Sequence, residues 1–371
     1  AIGDVYMEQA NGSEAVKYYT EALKLNPNYV NAHVRTGKLW TRSLNYAEAK
    51  IAFDKAIKID STFAPIYREY GELELTAKHF ESAVENYKKY LFLTDKSLNS
   101  QLRYAKFLFY GKQFQESIDI IKQIVAKDSS DYINYRLLGY SSYEVKDYKA
   151  GLTAMNKFFS MNPAKILPQD YAYLGKLQVK NKLDSLGVNT ITRAIALDTT
   201  SRDLYGDLSD AYFSMKQYKL SAETYELKLL NTKPTAIDYF NLGRKYYFGL
   251  EFAKSDSSFA KLLELNAAYK PAYLFRARNN VQLDNVDKIN DGLAKPFYEK
   301  FIELTIADPK LDLKKSGKEL IEAYKYLGDY NYTILKDNAA AIGNFQKVIE
   351  IDPNDKDAKL NIEGLIKESK K

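Results

Sequence analysis

The chain has 371 residues with no cysteine, 9 prolines and 17 glycines, and it is 46% hydrophobic and 27% charged. That composition excludes a disulfide framework, a thiolate metal centre, a cysteine nucleophile and a disordered tether, and it supplies enough apolar material for a large core. Lys and Arg number 54 against 48 Asp and Glu, so a net charge of +6 is spread along the chain, far from the single-signed patch of a nucleic-acid binder. No apolar run approaches the ~18 residues of a membrane span. The opening Ala-Ile-Gly-Asp-Val-Tyr is neither a signal peptide nor an initiator methionine, and the start reads as cut or processed. The lack of cysteine suits an exported protein in an oxidising compartment.

Small residues recur every 34 positions, at Gly3, Gly37, Gly71, Ala105 and Gly139 and then, after a slip of two residues, at Gly175, Ser209, Gly243 and Ala277. Four residues before most of them stands a tyrosine: Tyr67, Tyr135, Tyr171, Tyr205, Tyr239, Tyr273 and, before Gly328, Tyr324. Twelve residues after the small residue comes a second one, then a large apolar residue and another apolar one. Examples are Ala15/Tyr19/Ala22, Ala49/Phe53/Ala56, Ala83/Tyr87/Tyr90 and Ala341/Phe345/Val348. Each period thus holds two apolar patterns of i, i+3, i+4, i+7 type separated by a polar turn such as Leu44-Asn45-Tyr46 or Lys146-Asp147-Tyr148, which predicts a helical hairpin. The small residues are expected where the two helices cross most closely, with large side chains filling the space beside them.

A unit of 34 residues with Leu-Gly, an aromatic, Ala-x-x-x-Phe-x-x-Ala and a closing Pro (Pro27, Pro353) resembles the tetratricopeptide repeat (TPR) family over nearly the whole chain. The resemblance implies an all-α, right-handed superhelical solenoid of about ten hairpins over residues 1–355, the first truncated inside its own first helix, with first helices lining the concave face. Three departures are expected. Two extra residues around Pro163 to Pro168 alter the joint between the fifth and sixth units. A long inter-helix loop from Asp284 to Gly292 precedes a helix over Ala294 to Thr305. About twelve further residues around Pro309 to Lys318 extend the first helix of the last unit, so the irregular insertion covers about 284–320. The run Asp357 to Lys370, with Ala358, Ile362, Leu365 and Ile366 on one face, reads as a capping helix over 356–371. The first unit has no such cap, and further sequence upstream of Ala1 is expected. The segment Gly292 to Leu304 is similar to one found in exported TPR proteins of Bacteroidota and implies a periplasmic or cell-envelope location, with the cytoplasm as the alternative.

The chemistry of catalysis is missing. Two histidines cannot make a metal site: His33 takes a fourth position where tyrosine usually stands and reads as a packing residue, and His79 falls in a turn and reads as solvated. Phosphate loops and nucleophile elbows are absent, so no enzyme, cofactor or metal is expected.

The resemblance places a partner on the second, fifth, ninth and twelfth positions of the first helices. The ninth positions are Lys38, Glu72, Lys106, Tyr140, Lys176, Asp210, Arg244, Arg278 and Asp329, five basic against three acidic. Fifth positions add Arg68, Arg136 and Phe240, and twelfth positions add Phe109, Tyr143 and Tyr247. Cations that attract carboxylates beside aromatics that grip an extended segment are the chemistry of interface hot spots. The family's clamp for chaperone tails, Lys at the fifth position with Asn at the sixth and ninth, occurs in no unit: Lys325 is followed by Tyr326 and Asp329. Of the 32 tyrosines, at least fourteen fall on framework positions and are explained by packing. The expected function is a scaffold or adaptor that binds a peptide or protein in the groove. The alternative is a binder of anionic polymer, cell-wall glycan or nucleic acid, through the basic groove.

Overall fold

Each of the apolar patterns forms a helix in the computed structural model of the protein, which describes residues 1–287 and 291–369. Among the described residues there are helices and no strand. They divide into two units, Ala1–Ala194 and Ile195–Lys371. The first unit contains α1 (Ile2–Glu8), α2 (Gly12–Leu25), α3 (Val30–Arg42), α4 (Tyr46–Ile59), α5 (Pro65–Thr76), α6 (Phe80–Phe92), α7 (Leu98–Tyr110), α8 (Phe114–Lys127), α9 (Tyr132–Glu144), α10 (Tyr148–Ser160), α11 (Pro168–Lys180) and most of α12 (Asp184–Leu197). The second contains α13 (Asp203–Ser214), α14 (Tyr218–Leu229), α15 (Ala236–Phe248), α16 (Phe252–Leu265), α17 (Lys270–Asp287), α18 (Lys295–Ile306), α19 (Leu313–Tyr330), α20 (Asn338–Ile351) and α21 (Lys356–Glu368). Within each unit neighbouring helices pair as hairpins, the all-α solenoid fold that the repeat implies.

The crossing inside each hairpin is where sequence becomes packing. A Cβ placed on Gly3, Gly37, Gly139, Gly175 or Gly243 would lie between 2.6 and 2.8 Å from Tyr19, Phe53, Met155, Ile191 or Phe259, the residue sixteen positions later in each case. Those partners are buried, Phe53, Met155, Ile191 and Phe259 completely. Each is expected to contribute roughly 1.5–3 kcal/mol through burial alone. Where the small residue is polar, its hydroxyl is used across the same crossing. Ser117 donates to the Ala105 carbonyl at 2.9 Å, Ser255 donates to that of Gly243 at 2.9 Å, and Ser209 and Ser221 donate to each other's carbonyls at 2.6 and 2.7 Å.

The turn inside the hairpins is equally regular. Ala10, Leu44, Lys78, Lys112, Lys146, Lys182, Lys216 and Leu250 all take left-handed φ between 57° and 66°. All but the Lys146 turn close the first helix with a 6→1 bond, as in Asn45 N to Trp40 O at 2.9 Å and Gln113 N to Leu108 O at 2.8 Å. In three of these turns the next residue caps the second helix with its side chain: Asn11, Asn45 and Asp147 accept from the Glu14, Glu48 and Ala150 amides. The fourth position has its own device. Tyr67 and Tyr273 donate to the carbonyls of Ser61 and Ala267, six residues upstream, at 2.9 and 3.0 Å, and His33 Nε2 meets the Pro27 carbonyl at 2.8 Å. The imidazole thus replaces the phenol without loss of the bond. His79 is largely exposed, but its Nδ1 lies 2.9 Å from Glu74 Oε2, a partner that a purely solvated reading misses.

The irregular stretch differs from expectation at one place. α17 continues through Asp284 to Asp287, so the expected loop is shorter at its start, and residues 288–290 of it lie outside the described residues. The extended first helix is present as the 18 residues of α19, which runs into a π-helical turn, Asn331–Leu335. α21 buries Ala358 and Leu365 but leaves Ile366 41% exposed, so the capping face is narrower than the apolar pattern implies.

In the second unit, Asp238 ties α14 to the start of α15. Lys228 Nζ and the Tyr225 hydroxyl donate to its Oδ1 at 2.8 and 3.1 Å, and the Thr235 amide and hydroxyl donate to Oδ2 at 3.0 and 2.7 Å. Burial alone would push this carboxyl up, but these donors hold it well below the usual carboxylate range.

Two predictions arise here. Gly37→Ala is expected to cost about 1–3 kcal/mol, because the new methyl meets the Phe53 ring. Gly343→Ala, where nothing lies within 4 Å of the added methyl, is expected to gain about 0.5–1 kcal/mol. Urea midpoints that move the same way for both would contradict the crossing rule. The depressed Asp238 carboxyl makes the unfolded chain bind more protons at acidic pH than the folded one. Its stabilisation is therefore complete above about pH 4, the unfolded value, and is lost as pH falls through the folded value. Asp238→Asn is expected to flatten the fall in stability below about pH 4; an unchanged slope in urea titrations at several pH values counts against it.

Candidate partner-binding groove

In the first unit the first helices α3, α5, α7 and α9 bring the expected cations to one face, and the structure adds carboxylates that single positions do not reveal. Glu69, whose side chain is 10% exposed, accepts from Lys38 at 3.3 Å and from Arg68 at 2.6 Å through one oxygen, Oε1. Glu72 accepts from Arg103 Nε at 2.6 Å. Two clefts open beside these pairs. One, of about 610 Å³, is lined by Lys38, Arg42, Arg68 and Arg103, and the other, of about 480 Å³, by Lys106, Asp131, Leu75 and Ile133; Glu72 and Arg103 belong to both.

Lys106 differs from its neighbours. Among the described residues no carboxylate lies within ion-pairing distance of it, and Asp131, the carboxylate that acts on it most strongly, accepts the Ile133 amide at 2.8 Å as the cap of α9. Burial first, and the Arg103 and Arg136 guanidiniums after it, hold the Lys106 ammonium below the ordinary lysine range against the pull of Asp131.

Arg136 and Tyr140 are not free groove residues. Asp170, completely buried, receives Arg136 Nε at 2.7 Å, Arg136 Nη2 at 3.0 Å, the Tyr140 hydroxyl at 2.7 Å and the Leu167 amide at 2.6 Å. Arg136 also donates to the Lys165 carbonyl at 2.6 Å and lies 4.7 Å over the Phe158 ring. This knot holds the irregular stretch from Pro163 to Pro168 against α9. Burial, then Asp170, pushes the Tyr140 phenol far above the ordinary tyrosine value, and only 6% of the residue is exposed. Tyr140 therefore supports the face from below instead of offering itself to a partner.

Tyr173 stacks on Tyr140 at 4.0 Å and meets Tyr143 edge-on at 5.5 Å, and Lys176 Nζ lies 5.7 Å over Tyr143. Phe109 packs half-buried against Phe114 and Tyr140.

In the second unit the expected Phe240, Tyr247 and Arg278 converge on a residue that position alone did not flag, Phe275. Tyr247 and Phe240 meet its ring edge-on at 5.2 and 6.1 Å, and Arg278 lies 5.8 Å over it. Arg278 is bound through two nitrogens to Glu322 at 2.8 and 2.6 Å, which raises its pKa. Arg244 stands 5.8 Å from Phe240 and 5.9 Å from Phe213, and among the described residues no carboxylate pairs with it. Its neighbour Lys245 is buried and bound to Asp210 at 2.6 Å.

Of the twelve expected residues, then, eleven remain at least partly exposed and Tyr140 does not. No group of three or more His, Cys, Asp or Glu that could hold a metal ion occurs among the described residues. No helix among them is long and apolar enough to cross a membrane.

Comparison with known proteins bears on the fold. The tetratricopeptide repeat family profile matches residues 1–62. The crystal structure of the C-terminal part of a TPR repeat-containing protein from Cytophaga hutchinsonii is similar at 32% identity with a TM-score of 0.59, over 70% of this chain and 99% of that one. A TPR repeat-containing protein of Methanocaldococcus jannaschii is 21% identical over 374 aligned positions, 92% of this chain and 61% of that protein. Hsp70-Hsp90 organizing protein 3 of Arabidopsis thaliana is 30% identical over 87 residues, which span 24% of this chain and 16% of that protein.

The Asp170 knot gives a direct expectation. Arg136→Ala leaves a carboxylate buried without its counter-charge and should cost about 3–5 kcal/mol, whereas Arg136→Met combined with Asp170→Leu should cost much less. Urea unfolding of both variants checks this, and equal losses would mean that the ion pair is not what holds the joint.

Proposed function

We propose that this chain, which belongs to the tetratricopeptide repeat family, is a non-catalytic scaffold or adaptor that binds a peptide or protein partner on the exposed face of its first helices, in a cell-envelope assembly. The observation that carries this reading is the pair Lys106 and Arg244. Each is a partly buried cation on a first helix, framed by apolar or aromatic side chains and without a carboxylate among the described residues. A desolvated charge without a counter-ion is costly, and an incoming acidic group removes that cost. The aromatics Phe109, Tyr143, Phe240 and Tyr247 add contact area with little conformational entropy to lose. The envelope location is supported by the segment Gly292 to Leu304 and by the absence of cysteine.

A binder of anionic polymer is the second reading. It is favoured by the five cations against three carboxylates that line the two clefts of the first unit. Its affinity would fall linearly with salt on logarithmic axes.

The test is photo-crosslinking in the native organism from a benzoylphenylalanine placed at Tyr247, in the parent chain and in a Lys38→Glu, Lys106→Glu, Arg244→Glu variant. Arg136 is left intact because it holds the buried Asp170. A specific protein adduct that disappears in the variant, with the helical circular dichroism unchanged, is the expected result. The same adduct at the same yield in the variant overturns the groove reading.

A further inference from the structure

We infer that the cleft around Lys106 selects an internal peptide segment in which a carboxylate side chain neighbours a bulky apolar one, the carboxylate meeting Lys106 and the apolar group lying against Leu75, Leu102 and Ile133. This rests on the groove reading above and gives its partner a chemistry.

The charge pattern narrows the ligand. Glu69 and Glu72 are already bound to Lys38, Arg68 and Arg103, and Asp131 caps α9, and none of these wall carboxylates is ion-paired with Lys106. The cleft therefore offers one uncommitted ammonium, and a single carboxylate matches it. A continuous polyanion would have to pass Glu69, Glu72 and Asp131, whose charges repel it. The walls complete the selection. Leu75 and Ile133 are partly exposed beside the buried Leu102, and Tyr110 stands 52% exposed at the rim, so an apolar side chain next to the acid is removed from water as the ion pair forms. The low dielectric that depresses the Lys106 pKa also strengthens its attraction to an incoming carboxylate. Asn99, exposed on the same rim, presents an amide that can donate to or accept from an extended backbone.

The probe is an eight-residue peptide, Gly-Ser-Leu-Asp-Phe-Gly-Ser-Gly, fluorescein-labelled at its start and amidated at its end, so that the aspartate is the peptide's own only carboxylate and the dye is common to every probe. Fluorescence anisotropy with the full chain compares it with the same peptide carrying Asn for Asp, and with eight-residue oligothymidylate. We expect the Asp peptide to bind about tenfold more tightly than the Asn peptide, the advantage to vanish in Lys106→Met, and Lys106→Arg to restore most of it. Equal binding of the two peptides, an advantage retained in Lys106→Met, or tighter and steeply salt-dependent binding of the oligothymidylate overturns the inference. The two readings fail separately. If the native adduct is lost in the triple variant while the peptides are not distinguished, the groove stands and this specificity falls. If the peptides are distinguished through Lys106 while the native adduct survives, the specificity stands and the groove reading falls.

Discussion

The fold depends on a small residue in the first helix meeting a large residue in the second, sixteen positions later at Gly3, Gly37, Gly139, Gly175 and Gly243 and seventeen later at Gly328. That pairing sets how closely two helices approach, and the approach sets which faces are left over. Because Gly37 must admit Phe53 and Gly243 must admit Phe259, neither crossing tolerates a side chain of another size. The first helix is then fixed in rotation, and its fifth, ninth and twelfth positions point to a common face. Function in a solenoid follows from that geometric leftover: the residues not needed for stacking form the surface on which a partner can lie.

The same constraint explains why charges in the groove are unevenly committed. Repeats bring side chains at equivalent positions into line, so a cation on one first helix finds a carboxylate on the next, as Lys38 finds Glu69 and Arg278 finds Glu322. Where the register is disturbed by two extra residues, the chain uses a completely buried carboxylate, Asp170, to gather Arg136, Tyr140 and the Leu167 amide around the joint. Lys106 and Arg244 have no such partner among the described residues. Under the reading proposed above, these two are the cations, one in each unit, that an acidic group of a partner would neutralise.

The fold was legible because a 34-residue spacing is a long-range signal that chance does not sustain, and even the substitution of His33 for tyrosine kept its bond to a carbonyl six residues back. The site was legible only in part. Position in the repeat located Lys106, Arg244 and Phe240, but it could not tell a cation that is free from one that is spent, since that depends on a neighbour some thirty residues away. Tyr140 looked like a groove residue and is buried beneath it. Phe275 and Asp170 lay at positions that carry no rule, and the polar residue at Asp170 just after Pro168 was the only hint that the irregular joint would be pinned. The extension of α17 to Asp287 was hidden because Asp284 and Asn285 look like turn residues, although the helix runs through them.

The central claim is that a partner lies on the first helices. Hydrogen–deuterium exchange of the chain, alone and with its crosslinked partner purified from the native source, tests it most directly. Added protection should fall on α5, α7 and α9 and on α15 and α17, with the second helices α6, α8, α10 and α16 unchanged. Protection confined to the second helices would contradict the account.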